Sequence, residues 1–276
     1  MIFTFKKWSR FCQRLAQAER LSIPAAAVAD ATTPYIVLKH DVETDVKKAY
    51  QMAKIEAAYG HRGSYYVQAY LMHSAENVAL LSEMAAMGHE ISYHYDVLDS
   101  SKGDMDKAMA EYRHNAALFE QRGFALITVC QHGNPVVERV GYTSNRDFFR
   151  NPAVQATFPQ TADIMVNFKE MTHTDYRYYS DAGRQFHFIF DPLTNDLVNS
   201  DDKNVAYADL DALLTALSAE ENHIISTHPH RWCASAAVCV LKNGVFKAIR
   251  FVARLLMRIP LCKKIIGRYY YLAKKL

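Results

Sequence analysis

The stretch "YIVLKHDVE", residues 35–43, runs from aromatic and β-branched residues into His40, Asp41 and Glu43. Tyr35, Ile36, Val37 and Leu38 are residues that fill a strand buried on both faces. Charges at the end of such a strand are costly to bury, so they sit on a rim or hold something. Side chains alternate along a strand, which puts Asp41 and Glu43 on one side.

Six further runs resemble this one: residues 63–70, 89–96, 125–132, 176–181, 186–192 and 223–230. Helix-like stretches separate several of them. In residues 45–59, Val46, Ala49, Tyr50, Ala53 and Ala57 fall near helical spacing. A stretch starting at Ser74 stops at Gly88, and an acid-led stretch from Asp104 stops at Gly123. "YADLDALLTALSAEE" reads as a fourth helix. Strand and helix alternate, so parallel strands joined by crossover helices are expected. Residues 141–172 read as a long irregular insertion.

The runs end in polar groups, "HDVE", "YHYD", "QHGNP", "YSD", "FDP" and "THPH". In parallel α/β folds the C-terminal strand ends form one face, where catalytic groups collect. Carboxylate and imidazole together suit zinc or a similar divalent ion, and equally suit a hydrogen-bonded polar cluster. His94 shares a side with Asp96. His89 points the other way at the strand's start, and reads as structural.

The 276 residues suffice for one large domain with a sizeable core. Half are hydrophobic and 22% charged, which excludes a disordered chain. Five cysteines show no metal-type pairing, so no disulfide framework is expected. Residues 1–20 lack the apolar run of a signal peptide, and no stretch reaches the roughly 18 apolar residues of a spanning helix. A cytoplasmic protein follows as the expectation, peripheral on the inner face of the membrane through its C-terminal tail.

The net charge of +3 conceals an asymmetry. No acid follows Glu221, whereas eleven Lys and Arg do; the first 221 residues hold 21 basic and 29 acidic residues, a net of −8. In "GVFKAIRFVARLLMRIP", Val245, Ile249, Val252, Leu256 and Ile259 share one helical stripe, and Lys247, Arg250, Arg254 and Arg258 another. Residues 242–276 are therefore expected to meet an anionic membrane surface. Nothing resembles a nucleic-acid recognition motif, so no nucleic-acid partner is expected.

In order, "LKHDVE", "GHEISYHYD", "QHGNP", "YYSDAG" and "STHPHRW" resemble the polysaccharide deacetylases, also called the NodB-homology domain or carbohydrate esterase family four. The resemblance covers roughly residues 34–232, closest to a divergent subgroup in surface-polysaccharide (lipopolysaccharide or capsule) biosynthesis. It implies a distorted (β/α) barrel of about seven strands, between an N-terminal helical segment (1–33) and a basic helical tail (233–276). It also implies Asp41 as general base, His228 as general acid, and Glu43 and His94 as ligands of a divalent metal, zinc by preference.

Two departures stand out. Leu98 occupies the place of the family's second metal histidine, and Glu43 replaces the usual Asp. Either Asp96, His40 or His132 substitutes as ligand, or the site holds no metal. The implied activity is removal of an N-acyl group from a nucleotide- or lipid-linked saccharide. The alternative is a metal-free homologue that binds saccharide or scaffolds other enzymes. His132 and Asn134 could line the sugar groove, Asp181 could orient a catalytic histidine, and Arg231 and Trp232 could hold a phosphate and stack on a sugar. Each of these also has an ordinary reading in turns or packing.

Overall fold

The structure is a computed structural model. It describes all residues except 33, 135–136, 194–203 and 257–276.

All seven expected runs are strands. They are β1 (Ile36–Val42), β2 (Gly63–Val67), β3 (Glu90–Tyr95), β4 (Thr128–Gln131), β6 (Arg177–Ser180), β7 (Phe186–Ile189) and β9 (His223–Thr227). Two more, β5 (Ala162–Asp163) and β8 (Val205–Tyr207), are too short to carry an alternation signal. The sheet order is β5-β4-β3-β2-β1-β9-β6-β7-β8. Pairing is parallel from β5 through β1 and β9 to β6, whereas β7 and β8 are antiparallel additions. The fold is thus α/β with a mixed nine-stranded sheet. The expected barrel of about seven strands is corrected: β5 and β8 lie at opposite edges, unpaired with each other among the described residues.

The expected helices are present too: α2 (Val46–Ala58), α3 (Ala75–Ala86), α5 (Met105–Glu120) and α9 (Leu210–Ala216). Asp45, Ser74, Asp104 and Asp209 cap their first turns by accepting backbone N–H bonds. The chain also forms α1 (Phe5–Gln17), the single-turn α4 (Val97–Ser101), and α10 (Ala236–Leu256). The supposed irregular insertion contains α6 (Arg146–Arg150), α7 (Pro152–Thr157), β5 and α8 (Phe168–Thr172), with Phe148 and Phe149 fully buried. Two of its aromatic residues anchor it in the core.

β1 is central and buried along its whole length. Its even-numbered residues Ile36, Leu38 and Val42 pack outward with the helical layer, alongside Trp8 of α1 and Ala49 of α2. Odd-numbered Val37 joins an inner cluster with Tyr66, Cys130, Tyr178, Ile189 and Ile224 from five other strands. The N-terminal segment packs on this body through α1. Trp8 is buried, and Thr4 bridges to Cys233, tying the chain's start to the segment before α10.

Candidate functional site

Alternation along the parallel strands places Lys39 and Asp41 on the inner face, with His94 of β3, Cys130 of β4 and Ser226 of β9. His132 and His228 lie just past the ends of β4 and β9. The register between β3 and β4 pairs His94 with Cys130, which sets His132 one step above it. These C-terminal ends carry the site.

Lys39 is the residue the sequence reading passed over. Its Nζ donates to Asp41 Oδ1 (2.5 Å) and Oδ2 (2.7 Å) and to Ser226 Oγ (3.3 Å), in a buried setting. Burial opposes ionisation of both groups. Lys39, then His94 and His228, nonetheless hold the Asp41 carboxyl well below the usual carboxylate range, and Asp41 holds the ammonium charged. The period-2 rule already placed Lys39 beside Asp41, so the signal was available.

His228 is fixed from behind. Its Nδ1 lies 2.5 Å from Asp181 Oδ1, and its backbone N–H donates to Asp181 Oδ2 at 3.1 Å. That leaves Nε2 facing Asp41 Oδ2 at 3.8 Å. Asp181 is fully buried, and against that burial Arg231 and His228 hold its carboxyl below the ordinary range. Arg231 donates from Nη1 to both Oδ1 (2.8 Å) and the carbonyl (2.7 Å) of Asp181.

Asp181 orients His228 from the interior, one of the roles the sequence left open to it, and Arg231 turns Nη1 to that buried carboxylate. The expected stacking of Trp232 on a sugar is corrected. Trp232 is 0% exposed, packed against Phe3 and Trp8 at ring-centroid distances of 5.1 Å each. The 3₁₀ turn Pro229–Arg231 swings the chain inward after His228, which is why Trp232 enters the core.

Glu43, His94 and His132 form a second group. Their ligand atoms lie within 4.8 Å of one another, as do those of Asp41, His94 and Cys130. His132 Nε2 stands 3.3 Å from Glu43 Oε1, and its Nδ1 turns toward Asp96 Oδ2 at 3.9 Å. A tetrahedral ion with arms of about 2.0 Å has ligands about 3.3 Å apart. His94 Nδ1 is 3.0 Å from the Cys130 carbonyl, so Nδ1 carries the hydrogen and Nε2 presents its lone pair. Burial, reinforced by His132 and Lys39, pushes His94 down to about 3, so the ring is neutral as a ligand must be. One carboxylate and two imidazoles fit zinc or a similar divalent ion.

His132, open in the sequence to a sugar-groove or a substitute-ligand role, stands with Glu43 and His94 in a possible ligand triad. Its N–H donates to Tyr95 O (2.6 Å), and its carbonyl accepts from Asn145 Nδ2 (2.9 Å). Leu98 is buried in the outer core and takes no part. Asn134 follows in the loop, its carbonyl accepting from Arg139 at 2.9 Å.

His40 faces the opposite way. It meets Thr227 Oγ1 through Nδ1 at 2.7 Å, and its Nε2 lies 3.0 Å from Glu56 Oε1. Buried Glu56 also accepts from Trp8 Nε1 (2.9 Å) and the Tyr65 hydroxyl (2.7 Å). This outer network braces the strand ends from which Asp41 and His228 project, and it removes His40 from the ligand candidates. His89 belongs to the same side, accepting from Gly63 N (2.9 Å), as its structural reading anticipated.

No protein-family model, curated protein or solved structure matches the chain. The site is therefore judged on its own chemistry.

Proposed function

We propose that this protein is a metal-dependent amide hydrolase that removes an N-acyl group from a sugar of a surface-polysaccharide precursor, on a deacetylase-like (β/α) scaffold. What supports this reading is one convergence. The Glu43–His94–His132 donor set lies beside Asp41 and His228, at the C-terminal ends of four separate strands. A divalent ion held there would lower the pKa of a bound water and polarise the amide carbonyl.

The protein's own residues do the rest. Asp41, kept ionised by Lys39, accepts the proton of the attacking water. Its depressed basicity means that it does not retain the proton, which passes to Nε2 of His228, 3.8 Å away, and from there to the departing amine. His228, aligned by Asp181, offers Nε2 to the departing amine nitrogen. Asp181 and Arg231 keep that imidazole in one orientation, in the manner of an Asp–His pair. The products are a carboxylic acid and an amino sugar.

A second reading, a metal-free saccharide-binding or scaffolding protein, is favoured by Lys39. Its ammonium already serves as the cation beside Asp41 in the deeper Asp41–His94–Cys130 group. Elemental analysis of protein purified without chelator, paired with acid release from N-acylated nucleotide-linked and lipid-linked sugars, separates the two. The first reading expects about one divalent ion per chain and hydrolysis lost in His94→Ala. Metal-poor protein that still binds a saccharide without cleaving it supports the second.

A further inference from the structure

α10 is held to the body by one short margin. Cys239 is buried, its Sγ donating to the Phe3 carbonyl at 3.3 Å, and Asn243 meets Arg184 and the Met1 carbonyl. Val238, Val240, Leu241, Val245, Phe251 and Val252 are all exposed, from 40% at Val245 to 69% at Leu241. At 3.6 residues per turn these six positions span an arc of about 160°, away from the stripe of Cys239 and Asn243. So large an outward apolar face is unusual on a solvated surface.

We propose that α10 is an interfacial helix that seats the protein on an anionic lipid surface. Its sequence carries Lys242, Lys247, Arg250 and Arg254 and no acid, within a C-terminal stretch that holds eleven basic residues after the last acid at Glu221. An exposed apolar arc on a helix whose sequence is basic and free of acids matches acyl chains beneath anionic headgroups. No helix among the described residues is long and apolar enough to cross a membrane, and α10's four basic residues suit one lying in the interface plane. Pairing with α10 of a second copy would bring two uniformly basic helices together, which like-charge repulsion opposes.

Only eight positions separate His228 from Ala236, and Lys48 donates to the His230 carbonyl (2.6 Å) on the way. Seated on lipid, α10 keeps the strand end that carries His228 within eight residues of the surface. Under the hydrolase reading, this favours a lipid-linked saccharide over a free nucleotide-linked one.

The test is co-sedimentation of the full-length protein with vesicles of phosphatidylcholine alone or with 30% phosphatidylserine, from 50 to 500 mM salt; it reads no catalysis, so it stands or falls separately from the hydrolase reading. Each cation near an anionic surface strengthens binding about fivefold at low salt, so anionic vesicles should bind at least tenfold better than neutral ones and release protein as salt rises. The exposed-residue variant Leu241→Ser/Val245→Ser/Phe251→Ser/Val252→Ser should remain folded by circular dichroism and lose the salt-resistant fraction. Absence of pelleting, unchanged pelleting by that variant, or a concentration-dependent dimer that the variant makes monomeric would each overturn the proposal.

Discussion

Lys39 and Asp41 stand two residues apart on one face of β1 and form a two-oxygen ion pair, 2.5 and 2.7 Å, beneath the C-terminal ends of the strands. Removing one member of such a buried pair leaves the other uncompensated, which costs about 3–5 kcal/mol. Lys39→Met should lose that much in urea unfolding, and Lys39→Met/Asp41→Leu should recover most of it. A single variant within 1 kcal/mol of the parent would mean that the pair does not neutralise itself as described.

Metal binding should follow the donor set and not the proton-transfer pair. Equilibrium dialysis with zinc is expected to give one site per chain, weakened at least tenfold by His94→Ala or His132→Ala. His228→Ala should leave it intact. Retention of zinc by His132→Ala would remove that residue from the ligand set.

Asp181 acts through His228. On any N-acyl saccharide that the protein hydrolyses, Asp181→Asn should lower kcat by roughly 10²-fold or more with little change in KM, because an amide cannot stabilise the imidazolium. A change confined to KM would assign Asp181 to substrate contact after all.

Acid-range stability should depend on Asp163, which lies on β5 and accepts from the Tyr95 hydroxyl (2.5 Å) and Met165 N (2.6 Å). Burial pushes its carboxyl up to about 6 despite those bonds. Between about pH 4 and 6 the folded chain therefore holds a proton that the unfolded chain releases, so stability falls as pH rises, by about 3 kcal/mol. Asp181 works in the opposite sense. Its folded value is depressed, so its contribution is present above about pH 4 and is lost as pH falls through that lower value. Asp163→Asn should remove only the first slope when unfolding free energy is measured from pH 4 to 7; an unchanged slope would place that proton elsewhere.

Gly63 opens β2 beneath the outer network. A methyl group there would sit 2.9 Å from both the Leu38 carbonyl and Glu56 Oε2, and 3.3 Å from His40 Nε2. Backbone cannot yield cheaply, so Gly63→Ala should destabilise by about 1–3 kcal/mol in chemical denaturation. A neutral result would show that β1 and β2 can separate at this point without disturbing Glu56.

Much of this protein is already written in local sequence. Strand burial and helix capping depend on residues within one or two turns of each other, so the seven runs, the helix starts at Ser74 and Asp104, and the polar strand ends were all readable. Period-2 alternation likewise separates Asp41 from His40 without any coordinates. Edge strands of two or three residues leave no such pattern, and whether a sheet closes depends on its outermost strands, which is why the expected barrel became an open sheet.

Tertiary structure alone decided which polar end groups work together. Asp41, Glu43, His94, His132 and His228 come from distant parts of the chain, and only parallel register brings their side chains within a few ångströms. The same holds for the side chains that turned inward. Arg231 and Trp232 look alike in sequence to surface recognition residues, but one 3₁₀ turn aims the first at buried Asp181 and the second at Phe3 and Trp8. Residue type sets what a group can do, whereas the direction of a backbone turn sets what it meets; the first is local, and the second depends on contacts across the whole fold.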